Sequence, residues 1–422
     1  MELRSAQLAA ALESARRAPF YASHAALLDQ LDQLDRRDRL TPADLALLPF
    51  TTKDDFRADY ARFLTGEPAA RLHTTSGSTG RPAYVLYSVH ELMAITRRAM
   101  DTMRLAGVGS TDRVLNLFGY GTFIAGNLYD WGATALGALV IPFGSATMTP
   151  PAFAAETLKS LRPTVVSGVP SYLLRFLGDL RREEAGAGAV DGIRVLACAG
   201  EVLTPALRSR LASVAPAAGI FDQYGMTEFG PLAAQCAVRD GMHLLADGLW
   251  CEVVDPAGRP VDEGEGELVV TSLENQAMAL LRYRTGDQVL VLAGACPCGR
   301  AGRRIRVLRR ADDLLKIRGV LCAKNDLADA VRAVAGGAPF KIRIYRDENE
   351  VDRLAVEVAH PDGNGAATAF AAGLRAAVKS RCRLGVDHVA VLPAIEMPRT
   401  VSGKALYVLD ERRAQAQGEH SC

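Results

Sequence analysis

The sequence lacks a surplus of charge. Over 422 residues, Lys+Arg 49 stand against Asp+Glu 48, a net charge of +1. No overall basic field draws it to nucleic acid or to an anionic membrane, and no stripe of basic and aromatic residues replaces one. Long apolar runs are also missing. The stretch Trp131 to Phe143 is broken by glycines and too short to span a bilayer. The opening segment carries Glu2 and Glu13 among small residues, unlike the positive start and unbroken apolar core of a secretory leader. The expectation is a cytoplasmic protein with no membrane or nucleic-acid partner. Repeats and low-complexity tracts are absent, and the phosphate-loop pattern G-x-x-x-x-G-K-[ST] is not present, which sets aside the usual P-loop enzymes.

Hydrophobic residues make up 49% of the chain and charged ones 23%, enough to bury a sizeable core and too apolar for a disordered chain. Between Leu72 and about Val270, β-rich runs (RVLNLF, ALVIPF, PTVVSGVP, IRVLACAG) alternate with helical ones (AFAAETLKSLR, SYLLRFLGDLRREE, TPALRSRLASVA). That alternation predicts parallel strands joined by crossover helices. Before it, Thr41-Pro42 and Thr51 or Thr52 read as helix starts. GAGAV at 186–190 reads as a mobile surface loop. Residues 249–291 read as antiparallel, barrel-like strands. From 312 onward, helical, hairpin, helical and strand patterns follow one another. The predicted fold is α/β: a large N-terminal domain, 1–311, with an antiparallel subdomain, then a small mobile α+β domain, 312–422.

Several short segments could carry chemistry. In Leu72-His-Thr-Thr-Ser-Gly-Ser-Thr-Gly-Arg-Pro82, Gly77 and Gly80 permit a tight turn whose N–H groups converge on an anion. Ser76, Ser78 and Thr79 add hydroxyls and Arg81 a positive charge, which suits a triphosphate. Alone, the run also reads as a flexible Ser/Gly turn. In Phe221-Asp-Gln-Tyr-Gly-Met-Thr-Glu-Phe-Gly-Pro231, Tyr224 can stack on a purine, Thr227 can bond a phosphate oxygen, and Glu228 can hold Mg²⁺. A strand-end turn with a surface Glu is the alternative. Arg282-Tyr-Arg-Thr-Gly-Asp287 offers a carboxylate for the two hydroxyls of a ribose. Arg309-Arg-Ala-Asp-Asp-Leu-Leu-Lys-Ile-Arg-Gly319 alone reads as a charged turn, and Lys404 in Arg399-Thr-Val-Ser-Gly-Lys404 alone as a surface residue. Cys236-x₆-His243 with Cys296-Pro-Cys298 supplies three thiolates and an imidazole, the donor set of a closed, structural Zn²⁺ site. Reduced, unligated cysteines beside a surface His are the alternative. Cys198, Cys251, Cys322 and Cys382 read as unpartnered core thiols, and Trp131 and Trp250 as core.

Taken together and in this order, the five segments resemble the acyl-adenylate-forming enzymes, and within them the phenylacetate–CoA ligase branch. PFYASH, LPFTTKDDFRADY, LFGYGTF, GVPSYLL and GEVLTPALR fit that branch, so the resemblance covers nearly the whole chain. It implies ATP-dependent conversion of a small, aromatic carboxylic acid to an acyl-AMP with loss of pyrophosphate, then transfer to CoA. It implies that Thr75, Ser76, Gly77, Ser78, Thr79 and Gly80 cover the phosphates. Gly200, Glu201, Asp222, Gln223 and Tyr224 would line the adenine site, with Thr227 and Glu228 holding phosphate and Mg²⁺. Asp287 and Arg310 would bind ribose, Asp312 would be the hinge, and Lys404 would reach the reacting carboxylate and α-phosphate. Tyr120, Gly121, Gly168 and Pro170 would border the acyl pocket. The chain departs from the branch at Arg81 (usually Lys), at Arg309 (usually Gly), and at Leu321-Cys322-Ala323-Lys324, where Asn, an aliphatic, an aromatic and Pro are usual. The last departure leaves an amine, a carrier-protein thiol or another acceptor open in place of CoA. A non-catalytic, nucleotide-binding homologue is a further alternative, though Glu228, Asp287 and Lys404 are all present. The assembly is left open, with a homodimer as the working expectation.

Overall fold

A computed structural model of the chain describes residues 5–35, 42–75, 83–144, 151–182, 187–274, 276–310, 314–359, 367–398 and 406–412. The chain divides into two compact units, Met1–Leu308 and Arg309–Cys422.

The first unit opens with α1 (Ser5–Arg17) and α2 (Ala25–Asp35), separated by a 3₁₀ turn at Pro19–His24. Leu8, Ala11, Leu12 and Ala15 recur at helical spacing and are all buried, as are Leu28 and Leu31. Pro42–Leu47, expected as a helix, is a 3₁₀ turn. The second expected start is α3 (Lys53–Ala58), and Thr52 rather than Thr51 caps it. Thr52 Oγ1 accepts from the Asp55 amide at 3.1 Å while the Thr52 amide donates to Asp55 Oδ2 at 2.9 Å, a reciprocal capping box. Thr51 instead donates through Oγ1 to the Leu281 carbonyl at 2.8 Å.

Strands β1 (Arg71–Thr74) and β2 (Tyr84–Tyr87) form an antiparallel ribbon, followed by α4 (Val89–Leu105). The chain then alternates: β3 (Arg113–Asn116), α5 (Ile124–Ala135), β4 (Leu139–Pro142), α6 (Pro151–Leu161), β5 (Val165–Gly168), α7 (Pro170–Arg182), α8 (Ala187–Asp191), β6 (Val195–Cys198), α9 (Pro205–Val214) and β7 (Gly219–Met226). The strands pair in parallel in the order β4-β3-β5-β6-β7. β5 and β6 are buried along their whole length, which is why their sequences are continuously apolar. The segment expected as a loop at 186–190 is helical from Ala187, because Val190 and Ile193 are drawn into the core beside Leu180 and Leu211.

The sheet continues through β8 (Gly230–Ala234), β9 (Met242–Leu244), β10 (Leu249–Val254), β11 (Gly264–Ser272), β12 (Tyr283–Leu292) and β13 (Arg304–Arg310). Its full order is β10-β11-β12-β13-β9-β8-β7-β6-β5-β3-β4. The antiparallel strands from 249 to 291 therefore extend the parallel sheet rather than standing apart from it. A large core of side chains from α1, α2, β2 and the antiparallel strands packs around Phe56, Phe63, Phe229 and Tyr283. Trp131 and Trp250, expected as core, are only partly buried at its edge.

The second unit holds the hairpin β14 (Leu314–Ile317) and β15 (Val320–Ala323), then α10 (Lys324–Ala335), β16 (Phe340–Arg346), β17 (Asp352–Ala359), α11 (Ala367–Cys382), β18 (His388–Leu392) and β19 (Val408–Asp410). Its sheet order is β18-β17-β16-β19, and its core joins Leu327 and Val331 of α10 and Leu374 and Val378 of α11 to the sheet. Cys322 and Cys382 are buried, free thiols of this core, as expected. No helix among the described residues is long and apolar enough to cross a membrane.

Candidate active site

Strand alternation along β7 sends neighbouring side chains to opposite faces. Phe221 and Gln223 are buried, and the Gln223 carboxamide accepts from the Tyr129 hydroxyl and donates to the Thr102 carbonyl at 3.4 Å. The Gln223 side chain thus sits among α4 and α5, apart from Tyr224. Asp222 lies on the other face. Burial pushes its carboxyl up to about 7, against the opposing pull of the Arg208 guanidinium. Gln235 Oε1 holds this strand end, accepting from the Asp222 amide at 2.8 Å and from Arg208 at 2.9 Å.

Tyr224 donates its hydroxyl to Asp287 Oδ2 at 2.5 Å, which joins the Tyr-Gly-Met-Thr-Glu turn to β12. Asp287 is 3% exposed, and its amide donates to Thr285 Oγ1 at 3.0 Å. Glu228 is also buried and accepts from the Tyr283 hydroxyl at 2.9 Å. Tyr283 is held in turn between Phe229 and Phe56. The Tyr87 hydroxyl of β2 donates to the Thr227 carbonyl. The base of the glycine-rich segment is closed by Thr75 and Ala83: the Thr75 amide donates to the Ala83 carbonyl at 3.1 Å, and the Ala83 amide to Thr75 Oγ1 at 3.2 Å. Three segments far apart in sequence are brought together here. Ser76, Gly77, Ser78, Thr79, Gly80 and Arg81 lie outside the described residues.

Gly200 follows β6 with φ +87°, a conformation that favours glycine, and this turns the next residue toward α7. Glu201 then accepts from the Ser171 amide at 2.5 Å and from Ser171 Oγ at 3.1 Å. Its carboxylate caps the N-terminus of α7, where negative charge meets the positive end of the helix dipole. Gly168 packs so closely that a Cβ there would lie 2.9 Å from Leu173 Cδ2, and Pro170 is the buried first residue of α7. The Tyr120 loop is tied to the strand entering the glycine-rich segment. The Thr122 carbonyl accepts from the Thr74 amide at 2.8 Å and contacts His73 Nδ1 at 3.2 Å, and Thr74 Oγ1 donates to Thr122 Oγ1 at 3.0 Å. Gly121 is exposed beside it. The Tyr120 hydroxyl bonds Asn116 and Asp130, two residues that no motif pointed to. The one signal for Asp130 was a lone carboxylate inside the apolar helix IAGNLYDWGATA.

Arg310 ends β13 and belongs to the second unit, while Asp312 and Lys404 lie outside the described residues.

The second constellation is assembled. The ligand atoms of Cys236, His243, Cys296 and Cys298 all lie within 4.8 Å of one another. Cys236 Sγ and Cys296 Sγ are 3.7 Å apart, and Cys298 Sγ is 3.3 Å from His243 Nε2. A tetrahedron with Zn–S bonds of about 2.3 Å needs sulfur atoms about 3.8 Å apart, so the donor set and spacing fit Zn²⁺. Burial and the nearby Arg300 and Arg304 lower the His243 pKa, favouring the neutral imidazole that a metal needs. The cluster joins the end of β8 and strand β9 to the turn between β12 and β13.

The chain is similar to known proteins over most of its length. The family described as AMP-binding enzyme matches residues 3–278. The phenylacetate–coenzyme A ligase of Thermus thermophilus is 33% identical over 397 residues, covering 88% of each chain. That of Escherichia coli is 30% identical over 385 residues, covering 88% of this chain and 86% of the other. The fold resembles the crystal structure of 2-hydroxyisobutyryl-CoA ligase in the postadenylation state, with a TM-score of 0.81 at 24% identity, over 99% of this chain and 91% of that one. The chain belongs to the AMP-binding enzyme family, the acyl-adenylate-forming enzymes, in the phenylacetate–CoA ligase branch.

Proposed function

We propose that this enzyme activates a small aromatic carboxylic acid with ATP and passes the acyl group to CoA. In the first step a carboxylate oxygen attacks the α-phosphorus, the bond to the β-phosphate breaks, and pyrophosphate leaves. In the second step the thiol sulfur attacks the acyl carbonyl, AMP leaves, and the thiol proton goes to solvent. The observation that carries this reading is the bond between Tyr224 and Asp287, which brings together the ring we assign to the purine and the carboxylate we assign to the ribose. The activity of the phenylacetate–CoA ligases among its relatives supports it.

The roles of the residues follow from charge. Bringing a carboxylate against a triphosphate joins two anions, so the site must supply positive charge and fixed donors. Thr75 through Gly80 give backbone donors to the phosphates, Thr227 adds a hydroxyl, and Arg310 with Asp287 hold the ribose. Gly200, Glu201 and Asp222 border the base, with Glu201 shaping that wall through its cap on α7. Lys404 supplies the cation at the reacting oxygens. Glu228 is the carboxylate for Mg²⁺, which would neutralise charge on the departing pyrophosphate. Cys236, His243, Cys296 and Cys298 would hold Zn²⁺ in a structural role. The small domain turns about Asp312 between the two steps. ATP and CoA as substrates, and cysteines that are all unpaired by disulfides among the described residues, suit a cytoplasmic setting.

The test is ATP–pyrophosphate exchange over a panel of aromatic acids, followed by weighing the products with and without CoA. Carboxylate-dependent exchange and an acyl-CoA thioester are expected. Acyl-AMP without thioester would assign another acceptor, the outcome that Leu321 to Lys324 raises, and exchange with no acid would overturn the reading. Lys404→Ala should cut exchange by about 10²–10³-fold while ATP still binds. Unchanged exchange would remove Lys404 from its role.

A further inference from the structure

Strands β3 and β5 end side by side, with Asn116 registered against Ser167. In α/β sheets ligands bind beyond the carboxyl ends of parallel strands. At this edge lies a polar network that the proposed chemistry does not use. Asn116 is fully buried and its side chain is saturated. Its Nδ2 reaches Asp130 Oδ1 at 2.9 Å, the Gly126 carbonyl at 2.8 Å and the Tyr120 hydroxyl at 2.9 Å. Its Oδ1 accepts from Ser167 Oγ at 3.1 Å and the Phe118 amide at 3.2 Å. The Tyr120 hydroxyl donates to Asp130 Oδ1 at 2.8 Å. Burial and the Asp130 charge push the Tyr120 phenol well up, so it keeps its proton and acts as donor.

Asp130 is half-buried. Its Oδ1 receives two donors, yet among the described residues Oδ2 has no hydrogen-bond partner and neither oxygen has an ion-pair partner. A neutral acceptor would be enough to hold Tyr120 and Asn116. Oδ2 is not sealed inside the fold, so it is open to a donor that arrives with a ligand in place of water. The other residues assigned to this border, Gly121, Gly168 and Pro170, offer no side-chain acceptor. We propose that Asp130 is a specificity residue whose Oδ2 accepts from an amino or hydroxyl group on the acyl portion of the acid. This rests on reading Tyr120 and Gly168 as the border of the acyl pocket, and it narrows the substrate class to aromatic acids bearing a hydrogen-bond donor.

The experiment compares ATP–pyrophosphate exchange with matched acids: unsubstituted, amino-substituted and hydroxy-substituted benzoates and phenylacetates. The readout is the ratio of kcat/KM for each substituted acid to that of its parent. In the wild type the best amino or hydroxy acid should exceed its parent about 10- to 100-fold, the scale of a hydrogen bond to a charged group. Which of the two wins identifies the donor. Asp130→Asn keeps an acceptor for Tyr120 and Asn116 while removing the charge, and Asp130→Ala removes both. Each should lower that ratio at least tenfold, with a thermal melt recorded for each variant to follow folding. A wild type that activates acids but does not distinguish the matched pairs would overturn the inference. So would variants that lose activity equally toward all acids, which is the signature of a purely structural role. Absence of exchange with any acid would instead strike the proposed activity itself.

Discussion

At residue scale, position on a strand decides what an ionisable group becomes. Asp222 and Gln223 are neighbours on β7, yet one carboxyl is pushed up to about 7 by burial while the other side chain is absorbed into the core. The folded-state value for Asp222 lies above its ordinary 3.8, so the folded protein binds the extra proton more tightly than the unfolded chain. That contribution to stability is fully present below about 3.8 and is lost as pH rises through about 7. Asp222→Asn cannot ionise. Subtracting its stability-against-pH curve from that of the wild type should leave a wild-type decline between those limits, measured by urea melts. A flat difference would place the Asp222 proton elsewhere.

At element scale, the cysteine cluster links three parts of the large sheet. His243 is registered against Arg304, so the β9–β13 pair carries a ligand directly. A closed four-ligand site contributes its binding energy to folding. Metal analysis after dialysis should find about one zinc per chain. A chelator should lower the melting temperature by several degrees, given that about 1 kcal/mol shifts a large domain by 2–4 °C. Cys298→Ser should bind less metal and melt lower. A variant with full metal content would remove Cys298 from the ligand set. Elements also show where local rules are enough. The helix start at Thr51 or Thr52 was legible because a cap acts within three residues, and the structure closes it as a box between Thr52 and Asp55.

At the scale of the whole molecule, the chain divides into two compact units after Leu308. If Asp312 is the hinge between two steps of one reaction, fixing its φ should separate those steps. Asp312→Pro should keep acyl-AMP formation, read by pyrophosphate exchange, and slow thioester formation about tenfold or more. An equal loss in both steps would move the hinge elsewhere.

The sequence alone determined the alternation of strands and helices and the parallel-then-antiparallel character of the large unit. These are local properties: strand and helix periodicity, caps, and short runs of reactive residue types are written in neighbouring positions. What only the tertiary structure decided is which distant groups meet. Tyr224 and Asp287 are 63 positions apart, and Ser171 and Glu201 are 30 apart. Asn116 with Ser167 is likewise set by packing and strand register. Helix α8 forms for the same reason, since Val190 gains a core that its glycine-rich sequence does not announce. Asp130 is the plainest case: that its Oδ1 receives Asn116 and Tyr120 is set by the packing of α5 against β3 and is not written in the sequence around it.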